Sequence, residues 1–275
     1  MLWIELLKAM LIGLVQGITE WLPVSSTGHM ILLNQLLTLD VSESFMELFL
    51  VVIQLGSILA VAVLYFRTLN PFSKQKSPAE KRQTLSLWGK VLVGVIPAAV
   101  LGFWLDDWFN RHFYTHTVVA AALLVYGVLF IVLERLMAGR PEPDAGCAEL
   151  SYRTALGIGL FQVLSLIPGT SRSGSTILGG RILGVSRKTA AEFSFFLAIP
   201  VMAGASLLKA GKFFLAGNTF SDTEWLVLAV GCLVAFFVSL VAISFLIDFV
   251  RRHTFEVFGW YRIVLGATVL LFYFF

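Results

Sequence analysis

Two short polar stretches interrupt the apolar runs of this 275-residue chain. Residues 20–29 are EWLPVSSTGH, and residues 167–176 are IPGTSRSGST. Each stretch combines a proline, small hydroxyl residues, glycine and a charged residue, and each lies between runs that are apolar enough to enter a bilayer. Because a membrane interior penalises unsatisfied backbone groups and charges, the two interruptions predict a polar site inside the protein.

The composition is typical of an integral membrane protein. Hydrophobic residues make up 58% of the chain and charged residues 13%, whereas soluble domains carry about 25% charged residues. Apolar runs of about 20 residues recur, which is the length that crosses a bilayer. The net charge of +3 is attributed to basic cytoplasmic loops, so no nucleic-acid partner is expected. Cys147 and Cys232 do not resemble a disulfide framework.

The chain is predicted to form one all-α polytopic membrane domain over residues 1–275. Six transmembrane helices are expected near 45–66, 88–105, 117–136, 190–214, 225–249 and 256–275. The remaining regions, 3–40 and 152–186, each begin as an apolar helix, break at a polar stretch and resume near Ile31–Leu37 or Ile177–Leu183. Neither half is comfortably long enough to cross alone, so both regions are predicted to be re-entrant helix pairs.

Loop charges predict the orientation in the membrane. The basic loop 67–87, which carries six lysines and arginines through Lys90, and the turn at Arg251-Arg252 should be cytoplasmic. The acidic turns at 106–107 and 222–224 suit the outside. Both termini then face outward, and the two re-entrant pairs enter from opposite sides.

That opposition predicts an inverted internal repeat, with halves of approximately 1–110 and 150–250. An offset of 146 positions aligns four pairs of small or polar residues: Gly13 with Gly159, Gln16 with Gln162, Ser25 with Ser171, and Gly28 with Gly174. Inverted repeats commonly place a site near the midplane of the membrane, with the ends of broken helices facing an anion.

The residues of the two breaks suit a phosphate group. Where a helix resumes, its first amides lack internal partners and its dipole makes that end positive. Hydroxyl groups add donors, and glycines allow close backbone approach. The candidate phosphate contacts are Ser25, Thr27, Gly28, Ser171, Ser173, Gly174 and Thr176. The alternative is that these residues cap helices and make small-residue helix contacts.

Arg172 is the sharpest single candidate because it lies deep in an apolar region, where an uncompensated charge is expensive. A guanidinium also matches phosphate in bidentate geometry. The alternative is a structural salt bridge with Glu20 or Glu192.

Glu20, Ser26 and His29 are the other catalytic candidates. Glu20 shares a helix face with Gln16, and its carboxylate could activate a hydroxyl or hold a divalent cation. His29 could act as a nucleophile or as an acid for a leaving phosphate, and Ser26 is the candidate nucleophile among the hydroxyls. The alternatives are an ion pair between Glu20 and Arg172, a hydrogen-bonded His29, and N-capping by Ser26.

The blocks QGITE (16–20), LPVSSTGH (22–29) and PGTSRS (168–173) resemble the bacitracin-resistance family, the bacterial undecaprenyl-diphosphate phosphatases. The segments at 52–60 and 192–195 are also similar to this family, so the resemblance covers nearly the whole chain. It implies removal of the terminal phosphate of undecaprenyl diphosphate, which recycles the lipid carrier of peptidoglycan synthesis.

The resemblance also implies an inner-membrane location, a site that opens outward, an often dimeric protein and a requirement for Mg²⁺ or Ca²⁺. By motif, Glu20, Ser26, His29 and Arg172 correspond to functional residues of the family, and Ser171, Ser173 and Thr176 to its phosphate contacts. Because Gln16 stands at the first acidic position of the motif, a bound cation would rely on Glu20, substrate oxygens and water.

A different class of function stays open from the residues alone. Inverted repeats with broken helices are also typical of secondary transporters and lipid flippases. Such a protein would move a phosphate-bearing substrate across sealed vesicles without hydrolysing it.

Overall fold

A computed structural model describes residues 2–143 and 145–274, and this part of the chain consists of helices joined by turns, with no strand. Short 3₁₀ turns lie at Cys147–Glu149 and Leu164–Leu166. The α-helices are α1 (Leu2–Thr19), α2 (Ser26–Leu36), α3 (Glu43–Leu64), α4 (Phe66–Leu69), α5 (Pro78–Phe113), α6 (His116–Leu136), α7 (Tyr152–Val163), α8 (Arg172–Ile182), α9 (Arg187–Leu215), α10 (Asp222–Arg252) and α11 (Glu256–Phe274). The prediction of an all-α protein is confirmed.

Seven of the described helices are long and apolar enough to cross a membrane, as expected for a multi-pass membrane protein. Six of them, from α3, α5, α6, α9, α10 and α11, coincide with the predicted spans. The seventh is α1, whose 18 residues extend about 27 Å. By contrast, α2, α7 and α8 have only 11 or 12 residues, which is too short to cross the hydrocarbon core.

Three predicted boundaries were wrong. The backbone of α5 continues through 106–107 to Phe113, and the chain turns instead at Thr115, whose hydroxyl caps α6. Only residues 70–77 of the predicted basic loop 67–87 lie outside helices. The helices after the breaks begin at Ser26 and Arg172, five residues before the predicted starts, because the preceding serines cap them.

Glycines allow the long helices to cross closely. Helix α1 packs on α10 and α7 packs on α5. A Cβ atom on Gly13 would lie 2.6 Å from the carbonyl oxygen of Gly231, and one on Gly159 would overlap the carbonyl of Gly94. Helices α6 and α11 cross at Gly127 and Gly259, each of which faces the other's carbonyl oxygen. These contacts bring the backbones together as small residues do in membrane bundles.

The two short helices that follow the breaks lie inside this framework. Helix α2 contacts α1, α6 and α11, and α8 contacts α6, α7 and α9. Every residue of α8 from Ser173 to Arg181 is buried. The ends of both breaks are therefore held by protein on several sides, which satisfies the requirement that irregular backbone in a membrane be shielded from lipid.

Candidate active site

Ser25 and Ser171 share an unusual backbone conformation at the two breaks. Both have φ of 71°, and among the described residues they are the only non-glycine residues with positive φ. Each side chain caps the helix that follows: Ser25 accepts a hydrogen bond from the amide of Gly28 at 3.4 Å, and Ser171 from that of Gly174 at 3.1 Å. A strained backbone that recurs at equivalent positions indicates a functional constraint.

The two helix N-termini created by these caps lie together. Ser173, in the first turn of α8, donates its hydroxyl to the carbonyl oxygens of Glu20 (3.1 Å) and Leu22 (3.3 Å) in the first break. The first amides of each helix have no acceptor within that helix, and both helix dipoles place positive charge there. This arrangement is suited to an anion.

Glu20 connects side chains from both breaks. Its Oε1 accepts a hydrogen bond from Arg172 Nη2 at 3.3 Å, and its Oε2 accepts from Gln16 Nε2 at 2.8 Å and from the Ser26 hydroxyl at 3.4 Å. The side chains of Glu20 and Arg172 are only 7% and 10% exposed. The ion pair with Glu20, which was the alternative to a phosphate contact by Arg172, is therefore present, whereas Glu192 lies 3.9 Å from Lys188.

Arg172 is also held by α9 and by the first break. Its Nη1 donates to the carbonyl oxygen of Ser194 at 2.8 Å and approaches the Ser194 hydroxyl at 3.4 Å. The guanidinium carbon lies 5.9 Å from the centre of the Trp21 ring. The buried Nε has no hydrogen-bond partner among the described residues. The guanidinium is thus fixed by its two Nη groups, and its Nε is a buried donor without a partner.

The other predicted phosphate contacts are arranged in different ways. Ser171 and Ser173 place their hydroxyl oxygens 3.1 Å apart. Thr176 is fully buried, and its hydroxyl donates within α8 or to Ser194 Oγ at 2.7 Å. Thr27 is half-buried at the start of α2. Gly28 and Gly174 serve as close-packing positions, where an added Cβ would lie 3.0 Å from Leu123 and 3.2 Å from the nearest atom of α11.

His29 lies in the same helix as Ser26, but it hydrogen-bonds elsewhere. Its Nδ1 is 2.7 Å from the carbonyl oxygen of Ser25 and its Nε2 is 2.7 Å from the Tyr261 hydroxyl. Since a carbonyl can only accept, the neutral imidazole carries its proton on Nδ1, and Nε2 accepts from Tyr261. Ser26 therefore donates to Glu20 and not to His29. His29 instead links the start of α2 to α11 through Tyr261.

Sequence reasoning missed Ser194 and Tyr261 as members of this site. Ser194 stands in the apolar helix α9, between Phe193 and Phe195, where a lone serine carries little information. Tyr261 lies 232 positions from its partner His29, and no local pattern links them. Only the fold brings these two side chains to the breaks.

The donor set does not fit a divalent cation held by protein alone. Within the part of the chain that the structure describes, no three His, Cys, Asp or Glu side chains are grouped closely enough to share an ion. Glu20 is the carboxylate at the breaks, and both of its oxygens already accept hydrogen bonds. Resident Mg²⁺ or Ca²⁺ needs more anionic oxygen than this.

Comparison with known proteins assigns the family. The profile described as bacitracin resistance protein BacA matches residues 9–268. The chain belongs to this family. BacA relatives include the undecaprenyl-diphosphatase of Enterococcus faecalis strain V583, with 52% identity over 98% of both chains. Undecaprenyl-diphosphatase 1 of Clostridioides difficile strain 630 is 55% identical over 98% of this chain and 97% of its own. The resemblance inferred from the motifs is thus confirmed over nearly the full length.

Proposed function

We propose that this BacA-family chain hydrolyses undecaprenyl diphosphate to undecaprenyl phosphate and inorganic phosphate, and so recycles the lipid carrier of peptidoglycan synthesis. The names of its relatives support the substrate. The observation that carries the chemistry is Glu20, which is hydrogen-bonded to Arg172 from one break and to Ser26 from the other. The proposed nucleophile and the fixed cation thus both lie within hydrogen-bonding distance of the proposed base.

The diphosphate would bind where the two helix N-termini meet. Phosphoryl transfer depends mainly on positioning and on neutralising the charge of the transferred group. Arg172 supplies a planar guanidinium that is held beside both breaks, and the first amides of α2 and α8 supply further donors. The prenyl chain remains in the bilayer.

In the proposed reaction, the Ser26 oxygen attacks the terminal phosphorus and the bond between that phosphorus and the bridging oxygen breaks. Glu20 takes the serine proton, which its 3.4 Å hydrogen bond with Ser26 prepares, and passes it to the departing undecaprenyl phosphate. Water then hydrolyses the phosphoserine; Glu20 takes one proton from that water and returns it to the Ser26 oxygen. His29 orients the start of α2 through Ser25.

We also propose that the fold is an inverted repeat in the bacterial inner membrane, with two re-entrant pairs and the site open to the outer face. Three correspondences support it. The strained serines are 146 positions apart. Two Ser/Glu capping pairs, Ser77 with Glu80 and Ser221 with Glu224, are 144 positions apart. The contact of α1 with α10 has its equivalent in that of α7 with α5. A homodimer stays a prediction.

The divalent cation implied by the family would enter with the substrate. Because the described residues of the two breaks offer a single carboxylate, Glu20, which is already hydrogen-bonded, the remaining ligands would be diphosphate oxygens and water. Calorimetric titration of the purified protein with Mg²⁺ or Ca²⁺ should show negligible binding alone and clear binding with inorganic pyrophosphate beyond the pyrophosphate–metal blank. Tight binding to the protein alone would contradict this proposal.

Phosphate release from undecaprenyl diphosphate by the purified protein tests the function. Ser26→Ala should reduce turnover by at least about 100-fold, since nucleophilic groups contribute on this scale. Ser244→Ala is the control, because that exposed hydroxyl of α10 only bonds its own helix. If Ser26→Ala turned over substrate at the wild-type rate, the proposed role of Ser26 as the nucleophile would be contradicted. Lipid movement across sealed vesicles without phosphate release would instead support a flippase.

A further inference from the structure

Helix α11 contributes a second arginine to the breaks, which the proposed chemistry does not use. Arg262 follows Tyr261 directly and is fully buried. Its Nη1 donates to the carbonyl oxygen of Pro23 at 3.1 Å in the first break. Its Nη2 lies 3.0 Å from the carbonyl oxygens of both Gly169 and Thr170 in the second break. A single guanidinium therefore bridges the two interrupted segments.

This buried charge has no carboxylate partner among the described residues. The charge of Arg181, which is equally buried, is instead neutralised by ion pairs with Glu134 and Glu142. Arg262 instead contacts backbone carbonyls and lies 5.3 Å from the centre of the Tyr126 ring. An arginine inside a membrane that lacks an acid is costly and commonly marks a functional site.

The charges around Arg262 make its position still less favourable in the absence of an anion. A Cβ on Gly174 would lie 3.2 Å from Arg262 Nη1, so the guanidinium abuts the first turn of α8. That turn is the positive end of the helix dipole, where a cation is unfavourable. Arg172 adds a second positive charge, and Glu20 supplies one negative charge nearby. The excess positive charge matches the polyanionic head of a diphosphate.

The carbonyl contacts also fix the direction of a backbone amide. In a trans peptide the C=O and the following N–H point in opposite directions, and no described peptide is cis. Because Arg262 holds the Thr170 carbonyl, the Ser171 amide is turned away from Arg262. That amide donates to no acceptor recorded in the described segments. This amide is therefore without a recorded acceptor and can serve as an additional donor to a bound anion.

We infer that Arg262 is a positioning residue for the phosphatase reaction, an inference that rests on the proposed function. It locks the two breaks against each other, turns the Ser171 amide toward the anion, and supplies a fixed positive charge without itself reacting. Arginine is required because its planar fork reaches carbonyls of both breaks, whereas the single ammonium of lysine cannot span them.

The test is steady-state phosphate release from undecaprenyl diphosphate by the purified full-length protein, with the folded fraction measured by size-exclusion chromatography. Arg262→Gln and Arg262→Lys should both lower kcat by at least about 100-fold per folded molecule, with KM changed by less than about threefold. Arg135→Gln is the matched control, because it removes an exposed arginine that pairs with Glu256 at the start of α11. Its kcat should stay at the wild-type value.

Gly174→Ala provides a variant that retains the arginine. Its methyl group would displace Nη1, from which it lies 3.2 Å, and should lower kcat by at least about tenfold. A merely structural role of Arg262 would reduce the yield of folded protein but leave kcat per folded molecule unchanged, and that result would overturn the inference. If Arg262→Gln does not fold, unchanged kcat in Arg262→Lys and Gly174→Ala would overturn it as well. A wild-type protein that releases no phosphate would instead refute the proposed function.

Discussion

The serines that begin α2 and α8 hold backbone conformations that a side chain normally avoids. Ser25 and Ser171 both have φ of 71°, and strain of this kind costs about 1–3 kcal/mol per residue. Their capping hydrogen bonds to Gly28 and Gly174 offset part of that cost. The remaining strain is compatible with function, because the sharp turn starts each new helix at the place where the two breaks meet.

Ser171→Gly should therefore stabilise the folded protein but slow its phosphatase activity. Glycine adopts positive φ without strain, and replacing a capping serine by glycine costs only a few tenths of a kcal/mol. We expect the free energy of unfolding to rise by about 1 kcal/mol, with slower phosphate release because the turn is no longer fixed. Thermal unfolding in detergent and the phosphate assay measure the two effects.

Ser186→Gly is the matched control for that change. Ser186 caps α9 in the same way, but its φ of −61° is unstrained, so glycine there should lower stability slightly. A Ser171→Gly protein that is less stable than the Ser186→Gly protein would contradict the presence of strain at Ser171.

Among individual residues, those that could be predicted from the sequence are charged residues within apolar segments. Glu20 and Arg172 stand out because charges are rare inside apolar runs. Tyr261 could not be predicted as a site residue, because aromatic residues are common in membrane helices and its partner His29 is distant in sequence. The positive φ of Ser25 was also unpredictable, since serine has no preference for that conformation.

The far end of α8 is fixed by an ion cluster that joins three helices. Arg181 at the end of α8 and Arg187 at the start of α9 both pair with Glu134 of α6, at 3.2 and 2.6 Å. The Glu134 side chain is only 1% exposed. Because α8 spans 11 residues, or about 16 Å, this cluster sets the direction in which the helix presents Arg172 to the site.

Glu134→Gln should destabilise the protein strongly. Removing the acid leaves the buried guanidinium of Arg181 and the partly buried one of Arg187 with one partly exposed carboxylate, Glu142, and breaking a buried pair in this way costs about 3–5 kcal/mol. The melting temperature in detergent measures the effect. Glu256→Gln breaks only the exposed pair with Arg135, whose side chain is 63% exposed, and should cost less than about 1 kcal/mol. Equal losses in the two variants would contradict a stabilising role for the cluster.

Helices were predictable from apolar length, whereas their ends were not. The segments near 117–136 and 256–275 match α6 and α11 within one residue. The end of α5 was misplaced because acidic residues at 106–107 suggested a turn, yet a helix ends where its backbone finds other partners, here just before the Thr115 cap. Capping serines equally explain why α2 and α8 start earlier than their apolar runs.

Across the whole molecule, the proposed inverted repeat makes two loops face opposite sides of the membrane. Residues 70–77 connect α4 to α5, and residues 216–221 connect α9 to α10. The basic residues around the first loop favour the cytoplasm. If α1–α2 and α7–α8 are re-entrant, an odd number of crossings separates the two loops, and the second loop lies outside.

Cysteine labelling measures this orientation. In a protein with Cys147→Ser and Cys232→Ser, single substitutions Gln75→Cys and Thr219→Cys place exposed thiols in the two loops. A membrane-impermeant maleimide added to intact bacteria should label Thr219→Cys, and should label Gln75→Cys only after the membrane is permeabilised. Labelling of both positions from the same side would contradict the inverted arrangement.

The central claim is that one residue from each break acts on the same phosphoryl group, and a double-mutant cycle in kcat tests it most directly. Glu20→Gln and Arg172→Gln should each slow phosphate release from undecaprenyl diphosphate by about 100-fold or more, in protein whose folded fraction is measured. Because the two groups act as a unit, the double variant should be about as slow as the slower single variant. Near-normal turnover of either single variant, or losses that multiply in the double variant, would contradict a shared site.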